Sequence, residues 1–261
     1  MSVRHAFTLL GTGASTGIPV IGCRCPTCIS TNPCDKRLRC SALVQVGDKS
    51  FLIDPGPDIR EQALHHGIDH LDGVLVTHTH YDHIGGIDEL RIYYFRGGRP
   101  LPCLLSKPSL SDLEHRYYYM FRPRMHGRSL SAQLDFHPLP SPRGTVEFEG
   151  VKVQYLTYEH SGMEVTGYRF GDLAYICDIF DYPESIFDDL KGLNTLVLSA
   201  LRTEPSPVHL TVEQAVAFAK RVGAKETWLT HIGHELEHEA VNATLPNAVR
   251  VAYDGLRLEW A

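Results

Sequence analysis

The stretch Val76-Thr77-His78-Thr79-His80-Tyr81-Asp82-His83 decides the reading of this chain. Three imidazoles and a carboxylate follow directly on the apolar run Gly73-Val74-Leu75-Val76 and precede Gly85 and Gly86. A buried strand ending in a loop presents such a cluster at the edge of a sheet, where the backbone is free to fold ligands inward. Neutral imidazole and carboxylate are ligands that zinc, manganese and iron accept. Histidines two apart in an extended segment point to the same side, so His78 and His80 can grip one ion together. Asp82 and His83, round the following turn, can face a second ion.

Composition sets the frame. The chain has 261 residues, 43% of them hydrophobic, enough for one sizeable core, so a single domain over residues 1–261 is expected. A net charge of -6 supplies no global positive field, which argues against long nucleic acid as a partner. No apolar run approaches the roughly 18 residues of a membrane span, so no membrane contact is expected. Met1-Ser2-Val3-Arg4-His5 runs straight into a strand pattern with no apolar leader, which points to the cytoplasm. Seven cysteines, an odd number, fit reduced thiols, some of them holding metal, better than disulfides.

From the start, residues 5–10 read as a strand, and Gly11-Thr12-Gly13-Ala14-Ser15-Thr16-Gly17 as a tight turn that lets backbone approach a site. It lacks the lysine of a phosphate-binding loop. In Gly22-Cys23-Arg24-Cys25-Pro26-Thr27-Cys28, three thiols are spaced to wrap a tetrahedral zinc ion. The fourth ligand of this zinc loop, at about 22–40, is open among Cys34, Cys40 and a distant histidine. Residues 41–46 and 50–54 flank Gly47-Asp48-Lys49 as a hairpin, and a helix is expected from Ile59 to His66. Residues 91–135 are the least regular part, with a strand at 102–105 and a helix from about Ser109 to Phe121. The aromatics and arginines there read as packing, a rim of the site or a dimer face.

Alternation resumes at 145–148, 151–156, 168–170 and 173–177, and 194–199 reads as a further buried strand. Thr211 caps a helix ending at Gly223, with Glu213 in its first turn. Thr227-Trp228-Leu229-Thr230 is a strand that ends at His231, and the last two strands turn at Asp254-Gly255. Strand runs followed by single helices occur twice, which suggests two sheets packed face to face with helices outside.

Three more polar residues each follow a strand: His160, Asp178 and His231. With them the H-x-H-x-D-H run resembles the metal-binding signature of the metallo-β-lactamase-fold hydrolases, an α/β architecture in which an αββα sandwich pairs two mixed β-sheets. The resemblance implies that His78, His80 and His160 hold one divalent ion, that Asp82, His83 and His231 hold the other, and that Asp178 bridges both. The Gly-Thr-Gly loop, the Cys-rich segment, Leu52-Ile53-Asp54-x-Gly56, Thr230-His231-Ile232-x-His234 and Tyr253-Asp254-Gly255 narrow it. Together they resemble the cyclic phosphodiesterase family of phosphonate breakdown (PhnP). That family implies a structural zinc on Cys23, Cys25, Cys28 and His234, and a homodimer. Cys34, Cys40, Cys103 and Cys177 receive no role.

Two adjacent cations, zinc or manganese, lower the pKa of water between them from near 16 towards about 7. The expected activity is hydrolysis of a small, cyclic phosphodiester, with Asp178 and Asp82 orienting the bridging hydroxide. His209, ahead of the Thr211 helix, matches a non-ligand histidine of the superfamily's phosphodiesterases and is expected to donate a proton, as imidazolium, to the leaving oxygen. The alternatives are a hydrolase acting on another ester, thioester or lactone, one acting on short RNA, and a non-catalytic binding protein.

Overall fold

The computed structural model describes residues 5–122 and 130–260. Residues 1–4 and the part of the aromatic stretch at 123–129 lie outside them. Two seven-stranded sheets lie face to face. The strands are β1 His5–Gly11, β2 Ser41–Val46, β3 Lys49–Ile53, β4 Gly73–Leu75, β5 Leu101–Leu105, β6 Leu134–Pro138, β7 Arg143–Phe148, β8 Val151–His160, β9 Met163–Phe170, β10 Leu173–Ile176, β11 Thr195–Ser199, β12 Glu226–Thr230, β13 Val249–Val251 and β14 Arg257–Trp260. The sheet orders are β14-β1-β2-β3-β4-β5-β6 and β13-β12-β11-β10-β9-β8-β7. Each sheet is antiparallel at one end and parallel at the other, and the parallel strands run β3 to β6 and β10 to β13.

Strand alternation builds three apolar layers. Phe51, Leu75, Tyr175 and Val197 point between the sheets, while their neighbours Leu52, Val74, Val76 and Ile176, Leu196, Leu198 point outward. Helices cover those outer faces. They are α1 Pro26–Ile29, α2 Ile59–His65, α3 Tyr81–Ile84, α4 Arg91–Gly97, α5 Lys107–Arg116, α6 Ile186–Asp189, α7 Val212–Val222 and α8 His238–Asn242. Ile59, Ile84 and Leu113 close the first face, and Ile186, Ala215 and Phe218 the second. This is the αββα sandwich expected from the sequence.

Local chemistry sets the helix ends. Thr211 caps α7 by accepting from Gln214 N, while Gln214 Oε1 accepts from Thr211 N at 2.8 Å. The capping partner is Gln214, because N3 is the position whose side chain reaches back to the cap, and Glu213 lies in the first turn as expected. The helix expected from Ser109 starts earlier, since Ser106 Oγ accepts from Ser109 N and Pro108 suits a first turn. It ends at Arg116 and gives way to a tight turn at Tyr118–Phe121. Residues 91–97, without assigned structure in the sequence, form α4, which fully buries none of its side chains and packs Tyr93 on the outer core. The last two strands do not pair with each other. The turn at Asp254-Gly255 carries the chain from β13 on β12 to β14 on β1, from one sheet to the other.

Candidate active site

Where the parallel strands end, the site begins. β3 leads to Asp54, β4 to the His78–His83 loop, β10 to Asp178 and β12 to His231, while the antiparallel β8 ends at His160. Asp54, Asp178 and His231 take positive φ of 58°, 53° and 58°. Backbone of this kind is sparsely populated outside glycine and collects at functional sites. Close approach shapes the loop as well. A Cβ on Gly56 would sit 2.3 Å from the Asp82 carbonyl oxygen, and one on Gly86 2.1 Å from the Gly56 oxygen. These two glycines therefore let the ligand loop lie directly on the chain that leaves β3.

Asp178 is the centre. Its Oδ2 lies 3.2 Å from His78 Nε2 and 2.8 Å from His83 Nε2, and its Oδ1 lies 3.1 Å from His231 Nε2. Two overlapping ligand groups result, in each of which the donor atoms lie within 4.8 Å of one another. One holds Asp82, His83, Asp178 and His231; the other holds His78, His80 and Asp178. His160 stands beside the second group with its ring 5.1 Å from that of His80, but its nitrogen is not among the atoms gathered there. His209 is not in either group. Its ring lies 4.4 Å from His160 and 5.0 Å from His231, and its Nδ1 is 3.5 Å from Asp178 Oδ1.

A further set of groups aims these side chains, and the sequence reading gave them no role. Asp54, fully buried, accepts from Thr77 N at 2.8 Å and Thr77 Oγ1 at 2.7 Å and faces His83 Nδ1 at 2.8 Å. A carboxylate on the far nitrogen fixes the ring's orientation and raises its basicity as a ligand. The Val208 carbonyl does the same for His160, 2.7 Å from its Nδ1. Asp54 follows a strand and precedes Pro55-Gly56, the signal that could have found it.

The thiols assemble separately. His234 Nδ1 lies 3.4, 3.4 and 3.7 Å from the sulfurs of Cys23, Cys25 and Cys28. Its partner segment is held tightly: a Cβ on Gly233 would lie 2.8 Å from the Leu201 carbonyl oxygen. Cys34, Cys40, Cys103 and Cys177 are free and stand outside this cluster.

The sequence profile of the beta-lactamase superfamily domain matches residues 49–232, most of the chain. The chain belongs to the beta-lactamase superfamily. It has the metallo-β-lactamase fold, and the solved structure of a new diphosphatase from the PhnP family is similar to it. That structure shares 39% identity, covers 98% of this chain and 97% of its own, and superposes with a TM-score of 0.91. An octanoyltransferase of Porphyromonas gingivalis is 35% identical over 95% of this chain, and the chain spans 50% of that relative's length. A ribonuclease Z of Mycobacterium sp. is 27% identical over 97% of this chain and 95% of its own.

The residues of this metallo-β-lactamase centre fit divalent cations on their own evidence. Burial opposes charge on Asp178, yet His231 and His83 hold its carboxyl well below the usual carboxylate range; His83 and His231 do the same for Asp82. Burial also opposes charge on the two imidazoles, but Asp178 and Asp82 hold His231 up at about 9, and Asp82, Asp178 and Asp54 hold His83 well above its ordinary value. Three carboxylates around these rings demand positive charge, which is the demand a pair of cations meets. His83 Nε2 and Asp178 Oδ1 are buried without a hydrogen bond. Burial, with His231 alongside, lowers His209 to about 3. In the metal-free chain this works against the imidazolium expected from the sequence.

Proposed function

We propose that the chain hydrolyses small phosphodiesters or diphosphates, and that His78, His80, His160 and Asp178 hold one divalent ion while Asp82, His83, His231 and Asp178 hold a second. Zinc and manganese both suit this donor set. Bound there, the pair activates water at neutral pH and neutralises charge on the phosphoryl oxygens. The observation that carries the reading is His209, an imidazole beside the bridging carboxylate and outside both ligand groups. Its N–H is placed to donate to an oxygen of a phosphoryl group seated against the centre. Asp178 and Asp82 orient the attacking water, Asp54 and the Val208 carbonyl hold the ligand rings, and the two sheets exclude bulk solvent from beneath. The cyclic form of the substrate, a cytoplasmic location and a homodimer complete the proposal. Among the described residues, no helix is long and apolar enough to cross a membrane.

Cys23, Cys25, Cys28 and His234 make a closed four-ligand set, with no position left for substrate, and suit a structural zinc. The test is a substrate panel on the metal-loaded protein: cyclic and linear phosphodiesters, a dinucleoside diphosphate, a thioester, a lactone, a β-lactam and short RNA. Turnover of the phosphorus compounds, with about three ions per chain by metal analysis, is expected. Turnover confined to the thioester or lactone would move the chain to the carbon-ester hydrolases. Short RNA is the second reading, supported by the ribonuclease Z relative and opposed by the net charge of -6.

A further inference from the structure

Helix α5 grips the metal loop at Thr79, the residue that separates the two histidines. Thr79 is 2% exposed and is gripped twice. Its Oγ1 donates to Asp112 Oδ2 at 2.5 Å, and its carbonyl oxygen accepts from Arg116 Nη1 at 3.0 Å. Arg116 Nε closes the triangle on the same Asp112 oxygen at 2.9 Å. Asp112 and Arg116 are four apart on α5, so they project from one face of that helix.

The helix itself is fastened at both ends and in the middle. Ser106 caps its start, Leu113 is 1% exposed in the outer core, and Tyr117 at its end donates from its hydroxyl to the Ile84 carbonyl. The surface ion pair alone contributes little, since exposed pairs are typically worth about 0–1 kcal/mol. A buried hydroxyl and a carbonyl of the ligand segment are different: they have no water to fall back on if their partners leave. Thr79 lies between His78 and His80, so any shift of its backbone rotates both rings.

We infer that Asp112 and Arg116 form a latch that sets the pitch of the His78-Thr79-His80 segment, making α5 a positioning element for the ion held by those two histidines. This rests on the ligand assignment above, and it gives the irregular stretch around 91–122 a defined part in the site. Asp112 and Arg116 do not touch the reacting atoms; they act through Thr79.

Titration of the metal-free full chain with Co²⁺, followed by cobalt absorption and by calorimetry, tests it. Asp112→Ala and Thr79→Val are each expected to weaken the ion held by His78 and His80 by about 10–100-fold, the range for outer partners of metal ligands. Thr79→Ser, which restores the hydroxyl, returns the affinity to that of the parent. The double variant is no weaker than Asp112→Ala, because the two changes remove one interaction. Thr79→Val keeps the volume and packing, so its metal-free melting temperature should stay within a few degrees of the parent even where Asp112→Ala fails to fold. Parent-like Co²⁺ affinity in Thr79→Val, or equal weakness in Thr79→Ser, overturns the latch. A parent chain that binds no Co²⁺ at the His/Asp centre overturns the ligand assignment instead.

Discussion

The two ligand clusters of this protein are built on opposite principles. The His/Asp centre draws on residues from 78 to 231, and His78, His83, Asp178 and His231 are each at most 1% exposed. Its rings are aimed by Asp54, Thr77 and the Val208 carbonyl. The Cys/His cluster takes three ligands from one short loop, and Cys23, Cys25 and His234 are only half-buried. What faces its thiols is mainly one another, His234 and nearby backbone N–H groups such as that of Val20. A scaffold that exists without metal can hold an open, strained site, as catalysis needs; a surface loop borrows its shape from the ion it binds. The clusters meet at the exit of β12, where His231 serves one and His234 the other.

That contrast can be broken at its strongest point first. Asp178→Ala removes the carboxylate both ligand groups share. Turnover is expected to fall beyond the 10⁴-fold that a single acid–base group typically supplies, with both active-site ions lost by metal analysis. Retention of either ion at parent affinity would deny Asp178 its bridging place. His209→Ala should keep both ions and lose about 10²- to 10⁴-fold in turnover of a phosphodiester. Undiminished turnover removes His209 from the chemistry.

Asp54→Asn sharpens the picture by leaving every ligand in place. Metal affinity at the His83 ion is expected to drop about 10–100-fold, read by competition with a chelating indicator. An unchanged constant would show that the sheet alone aims His83. The smallest effect belongs to the thiols. The Cys28 backbone N–H and the His234 ring lower the Cys25 thiol to about 6, while burial pushes Cys28 up to about 11. With a folded value below its ordinary one, Cys25 contributes stability that is present above about 9 and lost as the pH falls through about 6. The metal-free chain should therefore melt lower as the pH falls through that window, and Cys25→Ser should flatten the trend. Parallel melting curves for the two proteins would count against it.

Legibility followed sequence distance. His78, His80, Asp82 and His83 could be read directly, because a period of two in extended backbone and one turn bring them together without help from the rest of the fold. His160, Asp178 and His231 could be placed only through a family resemblance, since a polar residue after a strand is common. Asp54 and Asp112 were passed over because their partners, His83 and Thr79, lie 29 and 33 residues away. α4 was missed for a related reason: a helix that packs Tyr93 on the outer core but fully buries no side chain leaves no periodic apolar face to detect.

Taken alone, the sequence determined most of the strands, the contiguous ligand loop and the thiol loop, because each depends on backbone geometry over a few residues, while β6 went unread. Only the tertiary structure decided that the last two strands part to different sheets, that His209 stands beside Asp178 outside both ligand groups, and that Asp54, Asp112 and Arg116 contact the ligand segment. Burial, close backbone approach and charge at a few ångströms act between residues far apart in the chain, so they come into being only when the two sheets close on one another.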